Sequence, residues 1–325
     1  MVRKLSRGAR TRSVGWSEDR LHRWLLREGK PRALSGSRGH DAAVLHAFPG
    51  RVVTCVDSCV EGVHFESDAD PRLVGAKSAG RALSDLAATA AVPRAVVLAL
   101  RAPRERDEAW MRRVIEGVRL AARAVGADLV GGDLCAASGP ASACVTALGS
   151  YSGSRSGSSS GSGRPPGRDR ARAGQRVVLT GPVGGSLSGR HLAIRPRIEE
   201  GIALHAAGAT AMMDVSDGLA WDLHRLARAS DVAIHVELAR VPVHRDARRM
   251  ARTSGRTPLD HALHDGEDHE LLATMPRARV EEARRACATL VDIGRVTSGR
   301  GLHLIDERGV ARLWDPREGG CRHGV

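Results

Sequence analysis

Five aspartates occupy positions that the packing of a hydrophobic core does not explain. Asp41 follows the glycine-rich turn SGSRGHD, Asp57 follows the apolar strand RVVTCV, and Asp133 follows ADLVGG. Asp214 and Asp217 flank a turn in AMMDVSDGLA. The ends of strands are where α/β proteins bind ligands, so these positions predict a site rich in carboxylates.

Asp85 is a sixth, because it lies in the otherwise small and apolar predicted helix RALSDLAATA, where a charge is costly unless it is paired or metal-bound. Carboxylates without a lysine cluster or a Cys/His ligand spacing suit a hard cation such as Mg²⁺. This composition indicates phosphate chemistry. The Walker A pattern and the protein-kinase motifs are absent, so a metal-rich site would have to replace the common nucleotide-site solutions.

Each of these features also has a structural explanation. An aspartate at position 217 is suited to cap the following helix. The turn TGPVGGSLSG, after the predicted strand QRVVL, could present backbone amides to phosphate or be a plain tight turn. The residues alone leave both alternatives open.

Composition excludes several classes of function. Three of the 50 basic residues are lysines, Lys4, Lys30 and Lys77, so 47 are arginines, spread along the whole chain. We interpret the net charge of +13 mainly as a coding bias that favours arginine codons. An aromatic content of 2% is also too low for the base-stacking platforms of single-stranded nucleic-acid binding proteins. No apolar run is long enough for a membrane span or a secretory signal, which predicts a cytoplasmic protein without a membrane partner. The low aromatic content predicts that the protein has no nucleic-acid partner either. Six cysteines without a C-x-x-C pair favour neither disulfides nor structural zinc.

The 325 residues predict two α/β domains that meet at a cleft. Residues 1–16 form a basic, disordered tail, residues 17–151 the first domain, residues 152–167 a Gly/Ser/Pro-rich linker, and residues 168–325 the second domain. Predicted strands of the first domain are Arg51–Val56, Ala95–Leu100, Asp128–Val130 and Ser142–Leu148, and its helices are Pro71–Ala91 and Glu108–Val125. Predicted strands of the second are Gln175–Thr180, Ala211–Val215, Val232–Leu238, Glu270–Thr274 and Asp292–Val296, and its helices are Pro196–Ala207, Leu219–Ser230 and Arg277–Leu290.

Six motifs together resemble the thiamine-monophosphate kinases, which belong to the aminoimidazole-ribonucleotide-synthetase-like superfamily. They are GHDAAVL, VDSCVEGVHF, ALSDLAA, LVGGD, MMDVSDGLAWDL and GEDHELL, in the family's order and approximate spacing from Gly36 to Asp306. The resemblance implies a mixed α/β, two-domain fold whose N-terminal domain dimerises through its sheet. It also implies transfer of phosphate from ATP to thiamine monophosphate, giving thiamine diphosphate, with several Mg²⁺ ions.

The resemblance also assigns roles to individual positions. The metal-binding positions are Asp41, Asp57, Asp85, Asp133, Asp214 and Asp217. The ATP-binding positions are Gly132, Asp133, Arg168 and Ser216, and the substrate-binding positions are His64 and Glu267. From the residues alone, the favoured interpretation of His64 is a partly buried histidine satisfied by the backbone. Glu267 with Asp268 could equally be a solvated acidic turn.

The chain departs from the family pattern at His40, Cys55, Val56, Ala82, Leu134, Cys135, Gly185 and the non-aromatic C-terminus GGCRHGV. Some of these changes remove oxygen ligands, and the last removes the aromatic residues expected near the thiamine ring. Two alternatives therefore stay open: a related ATP-dependent enzyme with another acceptor, and a non-catalytic protein that binds nucleotides or thiamine phosphates. Nucleic-acid binding has only the positive charge in its favour.

Overall fold

The computed structural model describes residues 15–27, 29–37, 39, 41–153 and 163–319. These residues form two mixed α/β units, one built on a four-stranded sheet and the other on a seven-stranded sheet. The predicted fold class is therefore confirmed. No helix of the described residues is both long and apolar enough to cross a membrane.

The N-terminal domain covers one face of its sheet with two helices. The sheet has the order β1-β4-β2-β3, in which β4 is antiparallel to both neighbours and β3 is parallel to β2. Its elements are α1 (Glu18–Leu26), β1 (Arg51–Val60), α2 (Pro71–Ala88), β2 (Val92–Ala102), α3 (Glu108–Ala124), β3 (Asp128–Ala136) and β4 (Ser142–Tyr151). On β1 the even-numbered residues from Val52 to Ser58 point away from the helices and are exposed.

The C-terminal domain has a mixed sheet with the order β11-β10-β7-β9-β5-β8-β6. Its strands are β5 (Gln175–Leu179), β6 (Ala211–Asp214), β7 (Ala233–Glu237), β8 (Leu271–Pro276), β9 (Val291–Thr297), β10 (Gly301–Ile305) and β11 (Ala311–Leu313). Its helices are α4 (Ile198–Ala206), α5 (Leu219–Ser230), α6 (Arg245–Ser254), α7 (Pro258–His264) and α8 (Val280–Ala286). One hydrophobic cluster continues from the N-terminal domain into this one, through residues such as Leu204 and Leu271.

Helices α2 and α3 approach each other through two glycines. A Cβ atom on Gly75 would lie 2.0 Å from the Val114 carbonyl oxygen, and one on Gly117 would lie 2.0 Å from the Arg72 oxygen. The helix backbones therefore touch at a point where no side chain fits. This contact between α2 and α3 holds α2 in place on the sheet of the N-terminal domain.

Several sequence expectations need correction. Asp57 and Asp133 lie inside strands, because β1 and β3 continue beyond the apolar runs that predicted them, whereas Asp214 does end its strand. Trp16 was assigned to the tail, but it is 8% exposed and its Nε1 donates a hydrogen bond to the Pro103 oxygen. Residues 1–14 and 154–162, most of the predicted tail and linker, lie outside the described residues. Helices α1, α6 and α7 and strands β10 and β11 were not predicted.

Replacement of Gly75 by alanine tests the helix contact. Alanine normally stabilises a helix relative to glycine, but here its methyl group has no space, so we expect a loss of about 1–3 kcal/mol in the free energy of unfolding. Urea denaturation measures this loss. Gly29→Ala is the control, since a Cβ there meets nothing within 4 Å; an unchanged or higher stability of the Gly75 variant would contradict the contact.

Candidate functional site

A polar stripe on helix α2 faces the C-terminal domain. Its members are Lys77, Arg81, Ser84 and Asp85, which follow one another at intervals of four, three and one residues and so lie on one side of the helix. Sequence reasoning identified Asp85 and missed Lys77 and Arg81. The helical spacing from Asp85, and the scarcity of lysine in this chain, were the signals that could have found them.

Asp85 and Asp214 come together across the domain boundary. Ser84, the neighbour of Asp85, donates a 2.7 Å hydrogen bond from its Oγ to Asp214 Oδ2. The same carboxylate oxygen lies 2.9 Å from His269 Nδ1. The end of strand β6 is thereby held against the middle of α2.

Negative charge is in excess around Asp85. Burial and the nearby carboxylates of Asp214 and Asp57 raise the pKa of Asp85 to about 7, and Arg168 opposes this shift. Asp214 is buried too, but its hydrogen bonds with His269 and Ser84 hold its pKa below the ordinary value. Among the residues that the structure describes, no three His, Cys, Asp or Glu side chains form a group that could hold a metal ion.

Glu267 pairs with both cations of the stripe. Lys77 Nζ lies 2.7 Å from Glu267 Oε2, and Arg81 Nη1 donates to Glu267 Oε1 at 2.7 Å. Lys77 also donates to the carbonyl oxygen of His64 at 2.6 Å, so the two predicted substrate-binding positions meet at this lysine. The His64 ring accepts a hydrogen bond from the Val60 amide, as the structural alternative expected.

The segment 265–270 is not a solvated turn, because all of its acids are buried and paired. Asp268 is 8% exposed and accepts hydrogen bonds from Arg190 and the Gly184 amide, each at 2.8 Å. Burial nevertheless raises the pKa of Asp268 to about 6. The other two pairings are Asp265 with His261 and Arg256, and Glu270 with Arg197 and Thr180.

The glycine-rich turn after β5 donates backbone hydrogen bonds to this acidic segment, where the sequence suggests a phosphate as one possible acceptor. Its Gly184 and Gly185 amides donate to the carboxylates of Asp268 and Asp265, at 2.8 and 3.0 Å. Gly185 has a φ of +72°, and a Cβ there would lie 2.3 Å from the Ala247 nitrogen of helix α6. An aspartate at position 185 would not fit, which explains the departure from the family pattern.

The N-cap residue of helix α5 is Gly218 and not Asp217. The amides of Ser216 and Asp217 both donate to Asp222 Oδ2 at 3.0 Å, so Asp222 holds this turn, while Asp217 pairs with Arg225. Burial and the neighbouring Asp217 raise the pKa of Asp222 to about 8. The capping alternative for Asp217 is therefore wrong.

Asp41, Gly132 and Asp133 lie apart from this cleft. They line a 740 Å³ cavity between α1, α3 and β3. Asp133 is in register with Ala99 and, through β4, with Ser58, so it shares the sheet face of Ser58 and not that of Asp57. One chain thus presents two separate groups of predicted metal ligands. Gly132 has a structural reason as well, since a Cβ would lie 1.9 Å from the Leu98 oxygen.

Two departures from the family pattern touch each other. The Cys55 thiol donates a 3.0 Å hydrogen bond to the Ala82 carbonyl oxygen. Burial, followed by the charges of Asp85 and Asp57, raises the pKa of Cys55 to about 12, so the group is a thiol in this structure. His40 and residues 320–325 of the C-terminus lie outside the described residues.

Replacement of Glu267 by glutamine tests the buried ion pairs. Burial alone would raise the pKa of Glu267, but the charges of Lys77 and Arg81 hold it below its ordinary value. Both cations would lose their carboxylate partner, so we expect a loss of about 3 kcal/mol in the free energy of unfolding at pH 7, measured by urea denaturation. Because the folded pKa is the lower one, this contribution exists above the unfolded pKa of about 4.3 and disappears as the pH falls through the folded value.

The control for this prediction is Glu281→Gln, which breaks an exposed pair with Arg284 and should change stability by less than about 0.5 kcal/mol. An effect of Glu267→Gln that is as small as the control's, or that grows as the pH falls, would refute the assignment.

Comparison with known proteins identifies the family. Residues 39–151 match the N-terminal domain and residues 172–307 the C-terminal domain of AIR synthase related proteins. The thiamine-monophosphate kinase of Rhodopirellula baltica is 35% identical over 277 residues, which cover 81% of this chain and 84% of that one. That of Halobacterium salinarum is 36% identical over 80% of this chain and 88% of its own.

Solved structures agree with these matches. Thiamine-monophosphate kinase from Stenotrophomonas maltophilia K279a has a TM-score of 0.74 at 30% identity, covering 90% of this chain and 96% of that one. AaThiL complexed with AMPPCP and TMP has a TM-score of 0.73 at 26% identity, covering 98% and 100%. Matched in both domains and more than a third identical to such relatives over four fifths of its length, the chain belongs to the AIR synthase related proteins and, within them, to the thiamine-monophosphate kinase family.

Proposed function

We propose that this protein transfers the terminal phosphoryl group of ATP to the phosphate of thiamine monophosphate, forming thiamine diphosphate. The observation that carries the proposal is the cleft at the domain boundary, where α2 holds Asp85 beside Asp214 and ties Glu267 to His64 through Lys77. The family's kinases, and a relative of known structure complexed with AMPPCP and TMP, support the same reaction.

The chemistry of this transfer demands little from a general base. The attacking group is a phosphate oxygen of the acceptor, which is mostly ionised near neutral pH because its second pKa is about 6. The site must instead bring two anions together in line. A phosphotransferase that consumes ATP needs a cell compartment that contains ATP, so we assign the protein to the cytoplasm.

Mg²⁺ fits the residues at Asp85. The donors there are carboxylate oxygens, and burial together with the charges of Asp214 and Asp57 raises the pKa of Asp85, which has no ion pair among the described residues. We infer that Asp85 and Asp214 hold Mg²⁺ together with phosphate oxygens of the substrates, and that Asp41, Asp133 and Asp217 hold further ions. When bound, such ions neutralise the repulsion between the phosphates.

The remaining roles follow the family assignment. Arg168 acts on the charges of Asp85 and Asp214, which supports a contact with ATP phosphates at that position. We assign Gly132, Asp133 and Ser216 to ATP as well. His64 and Glu267 are assigned to the acceptor.

We infer a homodimer that forms through the open face of the N-terminal sheet. Val52 and Val56, on the edge strand β1 of this face, are 63% and 61% exposed. Asp133 opens onto the same face, whereas Asp57, Asp85 and Asp214 lie on the other side of the sheet. Strand β1, which carries Asp57, is at the edge of the sheet, and we infer that in the dimer the partner's Asp133 reaches the cleft around this edge and so completes one site from the two groups.

The first prediction concerns turnover. Purified protein with ATP, Mg²⁺ and thiamine monophosphate should form thiamine diphosphate, detected by chromatography, and neither EDTA-treated samples nor free thiamine should yield it.

Asp85→Asn removes a charge at the cleft without changing the volume of the side chain, and we expect kcat to fall about 10²-fold or more. The control Asp231→Asn alters an exposed carboxylate and should keep full activity. Folded protein that binds ATP without forming product would contradict the proposed reaction.

The second prediction concerns the shared site. Asp85→Asn and Asp133→Asn chains, each inactive alone, should recover about a quarter of wild-type activity after equal mixing and exchange, because half of the dimers are mixed and each holds one intact site. Asp85→Asn mixed with Asp214→Asn should recover nothing, since both residues lie in the same cleft. No recovery in the first mixture, from chains shown to be dimers by light scattering, would mean that each site is built within one chain.

A further inference from the structure

Arg81 binds a carboxylate of each domain. Its Nη2 lies 3.2 Å from Asp57 Oδ1 on strand β1, and its Nη1 lies 2.7 Å from Glu267 Oε1 in the C-terminal domain. Only 12% of the side chain is exposed. Arg81 therefore stands between a predicted metal ligand and a predicted substrate-binding residue.

Charge counting assigns this arginine to Asp57. Glu267 already has a partner of its own in Lys77, which is 1% exposed and 2.7 Å away. The carboxylate of Glu267 balances one of the two positive charges of Lys77 and Arg81. The remaining positive charge is balanced by Asp57, the other carboxylate that Arg81 contacts. The guanidinium thus supplies at Asp57 the charge that a bound cation would otherwise supply.

Asp85 differs from Asp57 in this respect. Its surroundings contain the carboxylates of Asp214 and Asp57, and none of the residues that the structure describes forms an ion pair with it within 4.0 Å. The hydrogen bonds of Asp214 go to Ser84 and His269. A divalent cation is therefore favoured at Asp85 and disfavoured beside the buried guanidinium next to Asp57.

Arg81 is not free to leave when a cation arrives. Both of its Nη atoms are held, one by each domain, and its Nε is buried without a hydrogen-bond partner among the described residues. If a cation bound to Asp57 and Arg81 moved aside, the buried guanidinium would remain close to the cation without its Asp57 partner. Its position is thus built into the packing of α2 against β1 and the segment 265–270.

We propose that Arg81 replaces one divalent cation, so that Asp57 pairs with this arginine and does not bind a metal ion in this protein. The inference rests on the proposed function for the presence of metal ions at Asp85 and Asp214. It changes the family assignment at one position, Asp57, and makes Arg81 a positioning residue that joins this strand to Glu267.

The test counts bound Mn²⁺ by electron paramagnetic resonance, on the full chain with AMPPCP present. Asp57→Asn should bind as many Mn²⁺ ions as the unmodified protein. Arg81→Met should bind one more, because Asp57 becomes available, and the double variant Arg81→Met with Asp57→Asn should return to the original number. Arg81→Lys, which keeps the charge, and Arg72→Met, which removes an exposed arginine from the same helix, should leave the number unchanged.

Loss of one Mn²⁺ ion in Asp57→Asn would overturn the inference, as would an unchanged number in folded Arg81→Met protein. If Arg81→Met does not fold, as judged by circular dichroism, the Asp57→Asn count still decides. Normal transfer to thiamine monophosphate with a lost ion in Asp57→Asn would contradict this inference alone. The expected counts without transfer would contradict the proposed function alone, and no bound Mn²⁺ in the unmodified protein would overturn both.

Discussion

The position of helix α2 between the two domains is the constraint on which the site depends. Twelve of its 18 residues are buried, because the N-terminal sheet, α3, α4 and β6 all pack against it. Close packing requires small residues: a Cβ on Gly80 would lie 2.8 Å from Ile194, and one on Gly201 would lie 2.2 Å from the Ala87 oxygen. A helix held this tightly cannot rotate, so its polar stripe meets the C-terminal domain in one register.

The charges buried along this boundary make the arrangement specific. Burying an ion is costly unless it is paired and hydrogen-bonded, and a small displacement of α2 would separate Lys77 and Arg81 from Glu267 at once. The backbone contributes to the same end, since Glu267 and His269 both have positive φ angles, near +56° and +53°, which are unfavourable for side-chain-bearing residues. The ion pairs and the packing of α2 together hold the segment 265–270 in this conformation.

Local patterns predicted the elements whose apolar residues face one core. Helix α3, the strands of the first sheet and strands β5 to β9 of the second were found in this way. Helix α6 was not, because RDARRMARTS buries only Asp246 and Ala247 and so shows no apolar stripe. The ends of β1 and β3 were missed for a related reason: beyond Val56 and Val130 the exposed face carries polar or small residues, which hide the strand. Pairs such as Arg81 with Glu267, 186 residues apart, depend on the tertiary fold, and no local pattern contains them.

The departures from the family pattern at Cys55, Ala82 and Gly185 can be explained as repacking instead of decay. Cys55 and Ala82 contact each other, so a change at one position is accommodated at the other. Gly185 is required by helix α6, which leaves no space for a larger residue. A site that had lost its function would have no reason to keep buried, costly charges such as Asp85 and Asp214 facing each other across a domain boundary. Their retention favours a catalytic protein over a non-catalytic binding protein.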